Sequence, residues 1–363
     1  MKPTMGIYFD NAATTRPLPF DTDVWGNPSS PHSLGLAAER KLHEARQTLA
    51  DILCCKHSEV FFTSGGTESN NIALLGLAYA NRRKKITFLA QPYEHPSVLE
   101  PLKFIKEQGL GQVKIVQFQE ENYQPIDTNQ GLVVVAVSHV HHETGDIPDL
   151  QKIKSQHPKA VIFIDGAQGF CKENIPTRVA DIYTFTGHKI HGGSGAGGLM
   201  VRAGIRLVPL MHGGGQEQKL RPGTENLQGI LHMAYAADWL QKNNKTNHSH
   251  VTEIKKILQN VCGTTVNQSA QTSPYILNLS TGVKGEILVH ALAEKGVYVS
   301  TGAACHSRKG TNTTLEAMGY PRERAETAIR LSFSHLNTQE EAYRAKKIIE
   351  DTIAELKKLL KGT

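Results

Sequence analysis

The chain has 363 residues, 39% of them hydrophobic and 20% charged, with a formal net charge of +6. That length suits two domains, and the composition is that of a globular protein rather than a disordered or membrane-embedded one. The charge is small for the length. Its one basic run, Arg82-Arg83-Lys84-Lys85, reads as a solvated helix end, so direct nucleic-acid binding is not expected. Residues Met1 to Tyr8 carry no apolar leader core, and no apolar run reaches the length of a membrane span. Five cysteines, an odd number with no C-x-x-C spacing, suit a reducing, cytoplasmic compartment.

Taken in order, Arg16 to Trp25 holds Pro17 and Pro19, which argue against a regular helix in its first part. Ala38, Leu42, Ala45, Leu49 and Ile52 recur at helical spacing. Short apolar strands are expected near 60, 86, 132, 161, 182 and 199, separated by helices or loops. Such alternation predicts an α/β domain with a mostly parallel sheet over residues 14–245. The polar stretch from Gln241 to His250 reads as a connection. Residues 246–363 then predict a smaller α+β domain, with strands near Tyr275 and Tyr298 and a final helix. Thr338-Gln339-Glu340-Glu341 makes a capping box at the start of that helix. Ala342, Ala345, Ile349, Ile353, Leu356 and Leu360 form its buried stripe.

Three stretches carry chemistry. Phe61-Phe62-Thr63-Ser64-Gly65-Gly66-Thr67-Glu68 runs from a strand through a glycine turn into a helix, a form suited to cradling a phosphate on backbone amides. Val161 to Asp165 is an apolar strand that ends in an acid. Thr186-Gly187-His188-Lys189 places a lysine on the turn after another strand. A turn lysine able to form a Schiff base, with an acid to partner a pyridinium nitrogen, points to pyridoxal 5'-phosphate (PLP). Gly193 to Gly198 contains a literal G-x-G-x-x-G, but a strand-like Leu199-Met200-Val201 follows it where a dinucleotide site needs a helix. His139, His141, His142 and Glu143 have the residue types of a metal set, yet no metal is expected.

These motifs have others in order around them: Tyr8 to Thr15, Gly26 to His32, Glu94-His95, Glu143-Thr144-Gly145 and Asp165-Gly166-Ala167-Gln168. His212 to Glu217, Arg221-Pro222-Gly223-Thr224-Glu225-Asn226, Thr301-Gly302-Ala303-Ala304-Cys305 and Ile329-Arg330-Leu331-Ser332 follow. With this set the chain resembles, nearly end to end, the PLP-dependent cysteine desulfurases of the NifS/IscS type within the class V aminotransferases.

The resemblance implies PLP fold type I, with residues 1–13 packed on the small domain, and a set of roles. Lys189 binds PLP and moves protons, Asp165 pairs with its ring nitrogen, His95 stacks on the ring and assists proton transfer, and Gln168 meets the ring oxygen. Gly66, Thr67, Thr186 and His188 hold the phosphate, and Thr224 reaches the phosphate of a second subunit, implying a homodimer. Arg330, Asn11 and His142 contact the substrate, L-cysteine, and His142 also stands at a position that meets the cofactor's ring oxygen. Cys305, with His306, Arg308 and Lys309 nearby to favour its thiolate, takes the sulfur as a persulfide and passes it to an acceptor protein. Iron–sulfur assembly, tRNA thiolation and cofactor synthesis stay open as destinations. The chain departs from the family at His142, where Asn is usual, at His306, and in the short 16–25 segment. A C–S lyase, a selenocysteine lyase and a catalytically degenerate scaffold remain alternative readings.

Overall fold

The computed structural model describes residues 6–118, 123, 125, 131–302 and 313–361. The chain divides into two compact units: a larger one of residues 16–139 and 148–242, and a smaller one of residues 1–15, 140–147 and 243–363.

The larger unit is built on a seven-stranded sheet. Its strands are β2 (Val60–Thr63), β3 (Ile86–Ala90), β4 (Gln112–Ile115), β5 (Leu132–Ser138), β6 (Val161–Asp165), β7 (Ile182–Thr186) and β8 (Gly197–Val201). They lie in the order β2-β8-β7-β6-β5-β3-β4. From β7 to β4 every pairing is parallel, whereas β8 runs antiparallel to both β7 and β2.

The alternation of side chains along a strand explains the layering. In β5, Val133, Val135 and Val137 join one buried cluster, with Leu42 and Leu49 of α1 (Ser33–Ile52). Val134 and Ala136 join another, with Ile72 of α2 (Gly66–Ala80) and Leu102 of α3 (Pro96–Glu107). Both faces are therefore covered, and the central strands read as unbroken apolar runs.

The smaller unit holds β1 (Ile7–Tyr8) parallel to β11 (Val297–Tyr298), and an antiparallel sheet of β12 (Ala328–Ser332), β10 (Ile276–Ser280) and β9 (Thr265–Val266). Its core joins Phe9 and Phe333, edge to face at 5.2 Å, with Leu288 and Leu292 of α6 (Gly285–Glu294) and Ile349 of α9 (Gln339–Lys361). The capping box forms: Thr338 N donates to Glu341 Oε2 at 3.1 Å, and Glu341 N donates to Thr338 Oγ1 at 3.1 Å.

Three features differ from the sequence reading. Helix α5 (Leu227–Leu258) runs unbroken through Gln241–His250, so that polar stretch is helix rather than connection. The stretch Gln241–His250 contains no Gly or Pro to stop a helix, and solvated polar side chains do not oppose one. The division between the units falls inside this helix, between Lys242 and Asn243. Residues 140–147 belong to the smaller unit. Strand β4 was not expected, since it is a largely exposed edge strand with little apolar signal. Among the described residues no helix is long and apolar enough to cross a membrane.

Candidate active site

Parallel pairing leaves the carboxyl ends of β5, β6 and β7 on one edge of the larger unit. Ser138 at the end of β5 lies across from Asp165 at the end of β6, and Asp165 lies across from Thr184 in β7. From Thr186 the chain enters a tight 3-10 turn, Gly187–Lys189. The acid and the lysine thus stand at the ends of neighbouring strands.

Strand β8 brings the glycine turn to the same place, because Gly197 pairs with both Thr63 and Thr186. A Cβ on Gly197 would lie 2.6 Å from Gly65 Cα, so only glycine allows this approach. That close fit accounts for Gly197 within the run that mimics a dinucleotide motif. A Cβ on Gly65 would meet Thr186 Oγ1 at 3.8 Å, and one on Gly66 would meet Thr186 Cβ at 3.8 Å. No side chain caps Gly65 at the start of α2. The first-turn amides of this 15-residue helix therefore present positive charge toward the Thr186 side. Thr186 Oγ1 is buried and has no hydrogen-bond partner. A phosphate would satisfy the amides and the hydroxyl together, so the residues present fit PLP.

His188 is neutral at physiological pH, its pKa lowered to about 4 by burial and by Lys189 and Lys172. It can donate one N–H to a phosphate without adding charge. Lys172, which the sequence reading passed over, is buried, and burial with the charge of Lys189 brings its pKa down to about 7.

Asp165 is buried at 7% exposure and held from two sides. Ala167 N donates to Oδ1 at 2.9 Å, and Asn70 Nδ2 donates to Oδ2 at 2.8 Å. Asn70 also touches Ser97 Oγ at 2.8 Å, and Ser97 Oγ lies 2.7 Å from His95 Nδ1. His95 is the N-cap of α3, its Nδ1 accepting from Ser97 N at 3.1 Å. Gln168 is buried, whereas Thr224 is exposed. The loop that carries Thr224 is tied to the glycine-capped helix by Arg221 Nε, which donates to Glu68 Oε1 at 2.9 Å. Nothing in the sequence marked Asn70 or Ser97 beyond their place beside the two motifs.

Glu94 is fully buried, accepting from Ser138 Oγ and from Gln91 Nε2. Burial raises its pKa from 4.5 to about 7, with the charge of Asp165 adding to the rise. Folding therefore favours the protonated acid. Its contribution to stability is complete below about pH 4.5 and is lost as the pH rises through about 7. Glu94→Gln should remove this slope and gain on the order of 3 kcal/mol relative to the parent at pH 8.5. Urea melts at pH 5 and pH 8.5 check it, and equal slopes for parent and variant would refute it.

In the smaller unit, Arg330 of β12 is buried. Its Nη1 donates to His142 O at 2.9 Å, and its Nη2 donates to Asp10 Oδ1 at 3.1 Å. Glu143 Oε1 lies 3.6 Å from Nη1, and Nε is buried with no hydrogen-bond partner. His142 Nε2 is 3.7 Å from Glu143 Oε1. Asn11 spends its amide nitrogen on Ser332 O at 2.9 Å, Tyr8 O at 3.3 Å and Asn337 Oδ1 at 3.3 Å. Its carbonyl oxygen alone is left for a ligand, and that oxygen suits an ammonium rather than a carboxylate.

The four metal-type residues each have other engagements. His139 Nδ1 lies 2.9 Å from Tyr183 Oη in the larger unit, and burial lowers its pKa to about 4. His141 Nδ1 lies 3.0 Å from Thr144 Oγ1 in the smaller unit. Among the described residues no group of three or more His, Cys, Asp or Glu could hold a metal ion. Cys305, His306, Arg308 and Lys309 lie outside the described residues. Gly302, the residue before that stretch, has φ +72°, and a Cβ on it would collide with the Glu143 carboxylate.

A lysine on the turn after one strand, an acid ending its neighbour and an uncapped glycine turn brought beside the lysine strand by β8 are the working parts of a PLP-dependent enzyme on an α/β scaffold. The chain belongs to the class-V aminotransferase family, whose model matches residues 7–344. It is 36% identical to a NifS/IcsS protein homolog of Lactobacillus delbrueckii subsp. bulgaricus, over 93% of this chain and 94% of that protein. It is 31% identical to a cysteine desulfurase IscS of Dictyoglomus turgidum, over 97% of this chain and 95% of the relative. A solved NifS-like protein superimposes with a TM-score of 0.87 at 30% identity, covering 97% of this chain and all of the other.

Proposed function

We propose that the chain is a PLP-dependent cysteine desulfurase that converts L-cysteine to L-alanine and carries the sulfur as a persulfide on Cys305. The observation that carries this reading is the buried Thr186 hydroxyl facing the uncapped helix α2, beside Lys189 and Asp165, in a chain similar throughout to cysteine desulfurases. PLP supplies an electron sink for the substrate carbon atoms.

Gly66, Thr67, Thr186 and His188 would hold the phosphate, and Gln168 the ring oxygen. Asp165, kept in place by Ala167 and Asn70, would pair with the ring nitrogen, and His95 would lie on the ring face. Lys189 Nζ is the point of attachment and moves protons at the substrate carbons. Arg330 would bind the α-carboxylate through its planar fork, and its buried, unpartnered Nε supports that role. The Cys305 thiolate attacks the substrate sulfur. An S–S bond forms, the substrate C–S bond breaks with its electron pair on carbon, and a proton on that carbon completes alanine.

The test is product analysis of PLP-loaded protein given L-cysteine. One alanine per sulfur transferred is expected. Pyruvate with free sulfide would establish a C–S lyase instead, and no product at all would leave a degenerate scaffold. A reducing, cytoplasmic setting and an acceptor protein for the sulfur belong to the same reading, with iron–sulfur assembly as one destination.

The exposed Thr224 would serve the phosphate of a second copy, which makes the active species a homodimer. An active monomer by light scattering at assay concentration would contradict this. His142 stands where an amide is usual, beside Glu143, His141 and Arg330. An imidazole changes charge near neutral pH and an amide does not. His142→Asn should therefore flatten the pH–rate profile between pH 6 and 9, and superimposable profiles would remove the role.

A further inference from the structure

We propose that Asn70 is a positioning residue: through Ser97 it fixes His95 in the tautomer protonated on Nε2. The inference rests on the PLP reading for its catalytic meaning, but its geometry lies wholly within the larger unit.

The direction of each hydrogen bond follows from the donors available. Asp165 Oδ2 is a carboxylate oxygen and accepts, so the group of Asn70 that faces it at 2.8 Å is the NH2. The amide oxygen then points to Thr184 Oγ1, which donates to it at 2.7 Å. A flipped amide would set oxygen against carboxylate and is excluded on that ground. The second hydrogen of the Asn70 NH2 goes to Ser97 Oγ at 2.8 Å. With its oxygen accepting from Asn70, the Ser97 hydroxyl sends its own hydrogen to His95 Nδ1 at 2.7 Å. Ser97 N donates to the same nitrogen at 3.1 Å. Two donors meet at Nδ1, so Nδ1 carries no proton and Nε2 does. Asn70 and Thr184 are 1% and 0% exposed, so water does not compete for the bonds of the Asn70 amide, while the Ser97–His95 bond is part-buried.

The consequence concerns the division of labour. His95 can donate a hydrogen bond or a proton from Nε2, but in this tautomer it cannot take one there. Proton abstraction from substrate therefore falls to Lys189, and His95 acts as a donor. Asn70 also ties the orientation of His95 to that of Asp165, since one NH2 serves both.

The experiment uses full-length protein labelled with 15N-histidine, with PLP bound and after its removal with hydroxylamine. Long-range 1H–15N correlation gives the tautomer, and His95→Gln assigns the signal. The parent should show a pyridine-like Nδ1 and a pyrrole-like Nε2 at pH 8, and a protonated Nδ1 would overturn the proposal. In Asn70→Ala the Ser97 hydroxyl is released to accept, and the tautomer ratio should move by roughly tenfold toward Nδ1–H, about the worth of one hydrogen bond. An unchanged ratio would show that the Ser97 amide alone sets the tautomer and would remove Asn70 from the relay. Should Asn70→Ala fail to fold, Asn70→Leu, which nearly keeps the size and withdraws the donor without adding a carboxylate beside Asp165, must shift the ratio in the same direction. Borohydride fixation on Lys189 is measured on the same samples. Its absence would remove the PLP reading and leave the tautomer result standing.

Discussion

Lys189→Ala is expected to lose turnover of L-cysteine by at least about a thousandfold, because covalent attachment of the cofactor and proton transfer worth about 10²–10⁴ go together. It is also expected to lose the adduct that borohydride fixes on this residue in the parent. The lysine stands on a 3-10 turn at the end of β7, one strand from the acid that ends β6. A second lysine makes the control informative. Lys172 is buried, with a pKa of about 7 set by burial and by the charge of Lys189, so at pH 8 much of it is a free amine. Removing Lys189 also removes that charge, and Lys172 then regains part of its proton affinity. Peptide mapping should find no adduct at Lys172 in Lys189→Ala. An adduct there with substantial turnover would show that the two amines are interchangeable and that Lys189 is not the required one. Binding of PLP through the phosphate should persist in the variant, since Gly66, Thr67, Thr186 and His188 are untouched.

The parts of the site that could be read from the sequence are those in which backbone and chemistry coincide. A glycine turn before a helix, an acid ending an apolar strand and a lysine on the following turn are local patterns, and parallel pairing brings them together. Both buried faces of β5 were legible for the same reason, as six successive apolar residues from Leu132 to Val137. Helix α5 was misread because Gln241–His250 carries polarity, which reports exposure and not the end of a helix. Residues 140–147 could not be assigned from the sequence, since their place in the smaller unit depends on contacts such as Asn278 Nδ2 to Glu143 O. The Asn70–Ser97 bond joins positions 27 residues apart, and no spacing rule predicts it. The commitment of the Asn11 amide to Ser332, Tyr8 and Asn337 likewise appears only once the chain is folded, and it changes which ligand group Asn11 can meet.

Cys305→Ala should separate binding from sulfur transfer. Lys189, Asp165 and Arg330 remain, so the variant should hold PLP and show a spectral change on addition of L-cysteine. Alanine formation should fall at least roughly a thousandfold, the scale of losing a covalent nucleophile. Radiolabelled sulfur from the substrate should no longer attach to the protein. Cys305→Ser is the closer control, because a hydroxyl nearly matches the thiol in size but attacks sulfur poorly. Two of the other cysteines make poor substitutes: burial raises the thiol pKa of Cys55 to about 12 and that of Cys171 further still, which keeps both protonated. If either variant retains most of its alanine production, the sulfur does not pass through Cys305. If sulfide and pyruvate appear at the parental rate without alanine, the protein eliminates sulfur directly and the lyase reading replaces the desulfurase. The sequence around the thiol gives the test its point. His306 follows Cys305 where the family commonly has Thr or Ser, and an imidazole next to the nucleophile can favour the thiolate through its charge.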